Sequence, residues 1–297
     1  MDSNTGDAQG GEKVWLDYDQ AELDLQYEQR SLVPDGDRYV AENEAASAQA
    51  RADLDCRIDV AYGDGPDEVL DIFPATAPGA PVLVFFHGGA WVRGKKTNES
   101  FIAAPLVAAG AAVVMVEFTL CPAGTLDNMV DQCRRAVAWI HANAGSFNGD
   151  AGRIVIAGHS SGSHLGGMLA VTDWADHGLP SDVIKGAVLT SGIYELTPAR
   201  LSHRNTYLFL DEEGVTRLSP MRHLRPDLPP FAILYGGGEL PEFRRQSRAF
   251  AQSLADAGVR VTEADIPDLN HFEMSRRLAD TDGPAYKAAV EMLGLDG

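Results

Sequence analysis

Gly158-His159-Ser160-Ser161-Gly162 sets a serine between two flanking glycines. An alcohol becomes a nucleophile when a neighbouring base takes its proton. Such a serine therefore calls for an imidazole, a carboxylate to orient it, and N–H donors for the charge that builds on an attacked carbonyl. The pentapeptide alone is common in a chain with 30 glycines, so its setting decides. The apolar run Arg153–Ala157 leads into it, and the Ala- and Leu-rich stretch Leu165–Val171 leads out. That strand–turn–helix would raise the hydroxyl on a sharp, strained turn, where a β-carbon at either flank would strike the strand or the helix. The helix N-terminus behind the serine favours negative charge. Ser160, at the middle position, is the candidate nucleophile, and Ser161 is expected to supply a backbone N–H. A glycine-rich helix cap without chemistry is the alternative.

His87-Gly88-Gly89-Ala90-Trp91 follows the apolar Val84-Phe85-Phe86. Two glycines let the chain turn its amides inward at close range. Gly88, Gly89 and Ser161 are thus the expected donors to an oxyanion, with His87 holding the loop in shape rather than acting as base.

These groups must be carried by strands and helices. Arg57–Tyr62 and Val69–Phe73 flank the turn-rich Gly63-Asp64-Gly65-Pro66-Asp67 and read as a hairpin. Pro81–Phe86, Ala111–Phe118, Arg153–Ala157, Ile184–Thr190, Phe231–Tyr235 and Val259–Ala264 have the length and composition of strands buried on both faces. Between them, Asp127–Ala144 puts Met129, Val130, Cys133, Val137 and Ile140 on one helical stripe, and Glu242–Ala257 does the same with Phe243, Phe250 and Leu254. The alternation predicts a mostly parallel twisted sheet with an antiparallel edge hairpin and helices on both faces; with the strand–turn–helix around Ser160 at the end of one strand, the expectation is the α/β-hydrolase fold. Residues 1–12 read as a disordered tail and 13–297 as a single domain. Within it, 13–50 forms an N-terminal helical segment anchored by Leu23, Leu25 and Tyr27, and 193–226 a cap-like insertion, with a plain loop as the alternative.

In this fold the acid follows the penultimate strand and the base the last. Phe231–Tyr235 runs into Gly236-Gly237-Gly238-Glu239, and His271 follows the last strand in Pro267-Asp268-Leu269-Asn270-His271-Phe272. Glu239 and His271 complete the expected set. Glu242, Asp265 and Asp268 are rival acids, the first placed to start a helix and the others in the loop before His271. The other histidines, 141, 159, 164, 177, 203 and 223, lack that position in the chain order. Trp91, Phe118, Tyr194 and Tyr207 are candidate pocket aromatics, with core or cap packing as the competing reading.

The net charge of −19, from 43 acidic and 24 basic residues, disfavours phosphate backbones and anionic lipid surfaces. A small-molecule substrate is expected, with neither nucleic acid nor membrane as partner; a homodimer is left open. Cys56, Cys121 and Cys133 are too dispersed for a disulfide framework or a zinc site. The polar start, MDSNTGDAQGGEK, has no signal-peptide character, and no apolar run is long enough to span a bilayer. A cytoplasmic protein needing neither metal nor organic cofactor is the expectation.

Several stretches together resemble the kynurenine formamidase-like (arylformamidase) branch of the α/β hydrolases, which lies close to the hormone-sensitive-lipase-type esterases. They are Tyr27-Glu28-Gln29-Arg30-Ser31-Leu32-Val33-Pro34-Asp35, the 87–91 and 158–165 segments, and Ser191-Gly192-Ile193-Tyr194-Glu195-Leu196 with Asn205 and Ser219-Pro220. The most specific are Glu239-Leu240-Pro241-Glu242-Phe243-Arg244-Arg245-Gln246-Ser247 and Asn270-His271-Phe272. The chain departs from the pattern in having Ala90 for an aromatic residue, Ser161 for Ala, and Glu239 for the commoner Asp; the smaller residue at 90 alters the acyl side of the pocket. The resemblance implies hydrolysis of an amide or ester bond in a small, often aromatic molecule. A broad-specificity carboxylesterase is the alternative, and a non-catalytic small-molecule receptor on the same scaffold a third reading.

Overall fold

A computed structural model describes residues 11–296. The tail expected over 1–12 thus lies outside the described residues except for Gly11 and Glu12. Eight strands form one sheet: β1 (Arg57–Ala61), β2 (Val69–Phe73), β3 (Ala80–Phe86), β4 (Ala112–Val116), β5 (Gly149–His159), β6 (Ile184–Thr190), β7 (Phe231–Gly236) and β8 (Val261–Ile266). Their order is β1-β2-β4-β3-β5-β6-β7-β8. β1 and β2 pair antiparallel, as do β2 and β4, and every later pairing is parallel.

Period-2 alternation sends side chains to two cores. Val82, Val84 and Phe86 of β3 face one, while Leu83 and Phe85 face the other, and every residue of the strand is buried. The helices Leu126–Asn143 and Pro241–Asp256 bury the stripes expected of them, from Met129 to Ile140 and through Phe243, Phe250 and Leu254. The last strand differs from expectation. It starts two residues later, runs through Asp265, and leaves Thr262, Glu263 and Asp265 exposed. It lies at the sheet edge, where alternating polar residues meet solvent.

The N-terminal segment is likewise broken into a helix Gln20–Leu25, a 3-10 turn Gln29–Ser31 and a helix Gly36–Asp53. Leu23 and Tyr27 are buried anchors, but Leu25 is 54% exposed, because residues four apart share a helical face and the one midway between them does not. The Gly36–Asp53 helix docks through polar groups. Asn43 Nδ2 donates to Ser275 Oγ at 3.0 Å, and Ser47 Oγ donates to the Asn98 carbonyl at 2.9 Å. Arg51 pairs with Asp71, a fully buried carboxylate of β2 that Lys96 Nζ also reaches at 3.2 Å. Residues 193–226 contain the short helices Thr197–Leu201, Asn205–Leu208 and Glu212–Leu218. They join the N-terminal segment through Gln20 Nε2 to the Leu201 carbonyl (2.9 Å) and Arg204 to the Tyr27 carbonyl (2.6 Å). Among the described residues no helix is long and apolar enough to cross a membrane.

Candidate active site

After β3 the chain crosses to one side of the sheet to form β4, then to the other to form β5, so the carboxyl ends of β3 and β5 border a switch point where such sheets bind ligands. Phe86 is in register with Gly158, and His159 with Thr190. The loop starting at His87 therefore lies beside the turn at Ser160.

That turn is strained, as its sequence requires. Ser160 has φ 55° and ψ −122°, at a cost of order 1–3 kcal/mol. Its N–H donates to the Thr190 carbonyl at 2.9 Å, and its carbonyl accepts from the Ser163 N–H at 3.0 Å as the Ser161–Ala170 helix begins. A β-carbon at position 162 would overlap the Phe86 carbonyl, so the helix can approach β3 only with glycine there.

Glu239 and His271 reach this turn from two loops tied together by backbone hydrogen bonds. Gly237 N–H donates to the Ile266 carbonyl at 2.8 Å, and Gly238 N–H to the Leu269 carbonyl at 3.0 Å. Asn270 caps the short His271–Met274 helix, accepting from the Phe272 and Glu273 amides at 2.9 and 3.1 Å, which explains its place before the histidine. His271 Nδ1 lies 2.6 Å from Glu239 Oε1, and Nε2 lies 2.9 Å from Ser160 Oγ. A carboxylate only accepts, so Nδ1 carries the proton and Nε2 is left to accept from the hydroxyl. The second carboxylate oxygen of Glu239 accepts from the Gly236 N–H at 3.1 Å. All three side chains are buried.

Two of the rival acids are engaged elsewhere. Glu242 is held by Arg245 (2.7 Å) and Gln246 (3.2 Å), and Asp265 by Arg248 (2.8 Å). Asp268, at φ 63° in the turn after β8, has no side-chain hydrogen bond among the described residues.

His87 clamps its own loop. One ring nitrogen lies 2.8 Å from the Gly88 carbonyl and the other 3.0 Å from Glu117 Oε1, so both donate and the ring is imidazolium. Burial acts against that charge, but the hydrogen bond and charge of Glu117 outweigh it and the net shift in pKa is upward. Because a peptide's C=O and N–H point opposite ways, holding the Gly88 carbonyl toward His87 directs the Gly89 N–H away from it. Gly89 has φ +123°, and a β-carbon there would overlap the Arg93 carbonyl. Among the described residues the Gly88 and Gly89 amides have no acceptor, and the Ser161 N–H is in the unpaired first turn of its helix.

Two further histidines are neutral supports. His159 Nε2 donates to the His271 carbonyl at 3.0 Å; burial, helped by His271, holds its pKa well below the usual value. His164 is pushed down to about 4 by burial, against the hydrogen bond it donates to the Leu218 carbonyl at 2.7 Å.

Ser160 opens onto a cavity of about 760 Å³ whose lining includes His87 to Ala90, His159 and His271. None of the four expected aromatics lines it. Trp91 is turned inward, with Nε1 donating to His164 Nδ1 at 3.2 Å. Phe118 stacks on the His87 ring at 4.3 Å, and Tyr194 on Phe250 at 4.1 Å. Tyr207 accepts from Arg204 at 3.0 Å. The walls come instead from residues the sequence did not single out as pocket groups: Tyr27 to Arg30, Tyr39 and Asn43 of the N-terminal segment, Glu99, Arg204, Phe243 and Phe272. The family-like runs at 27–35, 239–247 and 270–272 contain Tyr27 to Arg30, Phe243 and Phe272, whereas Tyr39, Asn43, Glu99 and Arg204 lie outside them. Among the described residues no group of three or more His, Cys, Asp or Glu side chains is placed to hold a metal ion.

The BD-FAE family matches residues 70–254. Kynurenine formamidase of Danio rerio is 33% identical over 293 residues, covering 94% of this chain and 98% of that one. Esterase LipQ of Mycobacterium tuberculosis is 33% identical over 236 residues, 72% of this chain and 56% of its own length. The hyperthermophilic esterase from the archaeon Pyrobaculum calidifontis matches with a TM-score of 0.72 at 18% identity, covering 91% of this chain and 97% of that chain, which shows a shared fold. A match of this reach, on this sheet, makes the chain a hydrolase of the α/β-hydrolase fold belonging to the kynurenine formamidase-like branch.

Proposed function

We propose that Ser160, His271 and Glu239 act as a catalytic triad that cleaves the amide or ester bond of a small aromatic substrate through an acyl-enzyme, as an arylformamidase does. The observation that carries the reading is the continuous relay from Ser160 Oγ to His271 Nε2 (2.9 Å) and from Nδ1 to Glu239 (2.6 Å). Ser160 Oγ passes its proton to Nε2 and bonds to the carbonyl carbon, while Glu239 stabilises the imidazolium. The Gly88, Gly89 and Ser161 amides receive the oxyanion. His271 then protonates the leaving amine or alkoxide. In the second half Nε2 takes a proton from water, the hydroxide attacks the acyl carbon, and Ser160 leaves with the proton restored.

The formamidase reading draws on the relative that spans nearly the whole chain. A carboxylesterase is the second reading, favoured by the similarity to LipQ, since one triad and one set of donors serve both bond types. Purified protein assayed on N-formylkynurenine and on short p-nitrophenyl esters, with Ser160→Ala as control, separates them. A kcat/KM at least ten-fold higher for the esters would remove the formamidase reading. Failure of a fluorophosphonate to label Ser160 would remove the triad.

A further inference from the structure

We propose that Glu99 is the group in this cavity that recognises a cationic amine on the substrate; the inference rests on the hydrolytic reading above and deepens it. Among the described residues, every other buried carboxylate has its charge answered. Asp71 has Arg51 and Lys96, Glu68 has Arg135 and the Gly65 N–H, Glu242 has Arg245, and Glu239 has His271 and the Gly236 N–H. Glu99 is 8% exposed and lines the cavity that holds Ser160, and its carboxylate accepts no hydrogen bond among the described residues; Oε2 is wholly buried.

The nearest candidate partner, His159 Nδ1, lies 4.0 Å from Oε1. That nitrogen carries no proton, because the ring donates from Nε2 to the His271 carbonyl. A lone pair therefore faces a carboxylate. Of the cations on the wall, Arg30 pairs with Asp37 at 2.7 Å, Arg51 with Asp71, and Arg204 donates to the Tyr27 carbonyl, while among the described residues neither Arg93 nor Lys95 comes within 4.0 Å of the Glu99 carboxylate. Burial lifts the Glu99 carboxyl to about 7, with the charge of His87 pulling the other way. A desolvated carboxylate without a partner is costly to keep, and a protonated amine entering the cavity is the group that would answer it. The His159 ring adjoins both Gly88 and His271, so the amine and the scissile carbonyl belong to one bound molecule.

The test uses isosteric probes that differ only in charge, 3-(dimethylaminomethyl)phenol and 3-isobutylphenol, titrated by calorimetry into the full-length Ser160→Ala protein at pH 8.5. The cationic phenol should bind at least ten-fold tighter. Adding Glu99→Gln should erase that difference while neutral binding stays within two-fold, and Glu99→Asp, which keeps the charge, should retain a preference. The acetates of the two phenols should show the same split in kcat/KM with Ser160 intact. Equal affinities in the Glu99 protein, or equal loss of both probes in Glu99→Gln, would overturn the proposal. Failure of the hydrolytic reading would show differently, as no turnover of either acetate while the binding preference persists.

Discussion

Glu239→Gln tests whether the carboxylate fixes the His271 tautomer or only fills space. The wild-type side chain accepts twice, from His271 Nδ1 at 2.6 Å and from the Gly236 N–H at 3.1 Å. A carboxamide has one acceptor oxygen and one donor group. If the oxygen stays on the Gly236 N–H, the NH2 faces Nδ1, which must then accept. The ring proton moves to Nε2, pointing at Ser160, and His271 cannot take the serine proton. The flipped amide restores the tautomer but sets its NH2 against the Gly236 N–H, leaving a buried donor unmet at about 1–3 kcal/mol. The productive flip is then populated only about one time in 5 to 150, and it still lacks the anion that stabilises the imidazolium. Together these give an expected fall in kcat of about 10³–10⁴, or roughly 4–5.5 kcal/mol in the barrier, with KM little changed. The assay is steady-state turnover of p-nitrophenyl acetate, paired with a thermal melt to check folding. Asp268→Asn, in the neighbouring turn, should leave kcat within two-fold. A Glu239→Gln enzyme that folds normally and keeps more than a tenth of wild-type kcat would refute the tautomer argument.

The His87–Glu117 pair gives a prediction with a sign in pH. Glu117 is held below its usual value: burial acts to raise it, and the hydrogen bond and charge of His87 prevail. Its share of stability is present above ~4.5 and lost as pH falls through the lowered folded value, whereas the share of His87, with its raised folded pKa, is complete below ~6.5 and fades as pH rises through that value. Urea midpoints should therefore plateau between those limits, and Glu117→Gln should lower the unfolding free energy by about 3 kcal/mol at pH 6 and flatten the profile. Gly162→Ala should destabilise the fold by more than about 3 kcal/mol in the same titration, since its β-carbon meets a backbone carbonyl that cannot retreat without moving β3. Trp91→Phe should cost about 1–3 kcal/mol by leaving His164 Nδ1 without its donor, yet leave KM within two-fold, because the indole points into the core and not the cavity. A large KM change with unchanged stability would return Trp91 to the pocket.

What could be read from the sequence follows from how locally each feature is encoded. β3 and β4 are buried on both faces, so an unbroken apolar run marks them without knowledge of their partners. Ser160, Glu239 and His271 sit where glycines or an Asn cap follow an apolar run, and those punctuating residues are demanded by backbone geometry within a few positions. The direction of a side chain leaving a loop is not encoded that way. Trp91 follows the double glycine, and its own φ of 62° turns it under the loop toward His164 rather than over Ser160. The segment holding the Gly36–Asp53 helix reads as helical, but the face by which it docks does not show: it docks through Asn43, Ser47 and Arg51, so the stripe that would betray a buried face is missing. Glu99 is hidden twice over, in a loop without periodicity and as a residue type that composition assigns to the surface. Its burial arises only when the N-terminal segment and the 87–99 loop close around the carboxyl ends of β3 and β5. Residues proposed to make the chemistry are thus written in local turns, whereas those proposed to choose the substrate depend on which distant segments meet above them. The same division explains why the meeting of Ser160, Glu239 and His271 could be expected from chain order while the lining of the cavity could not.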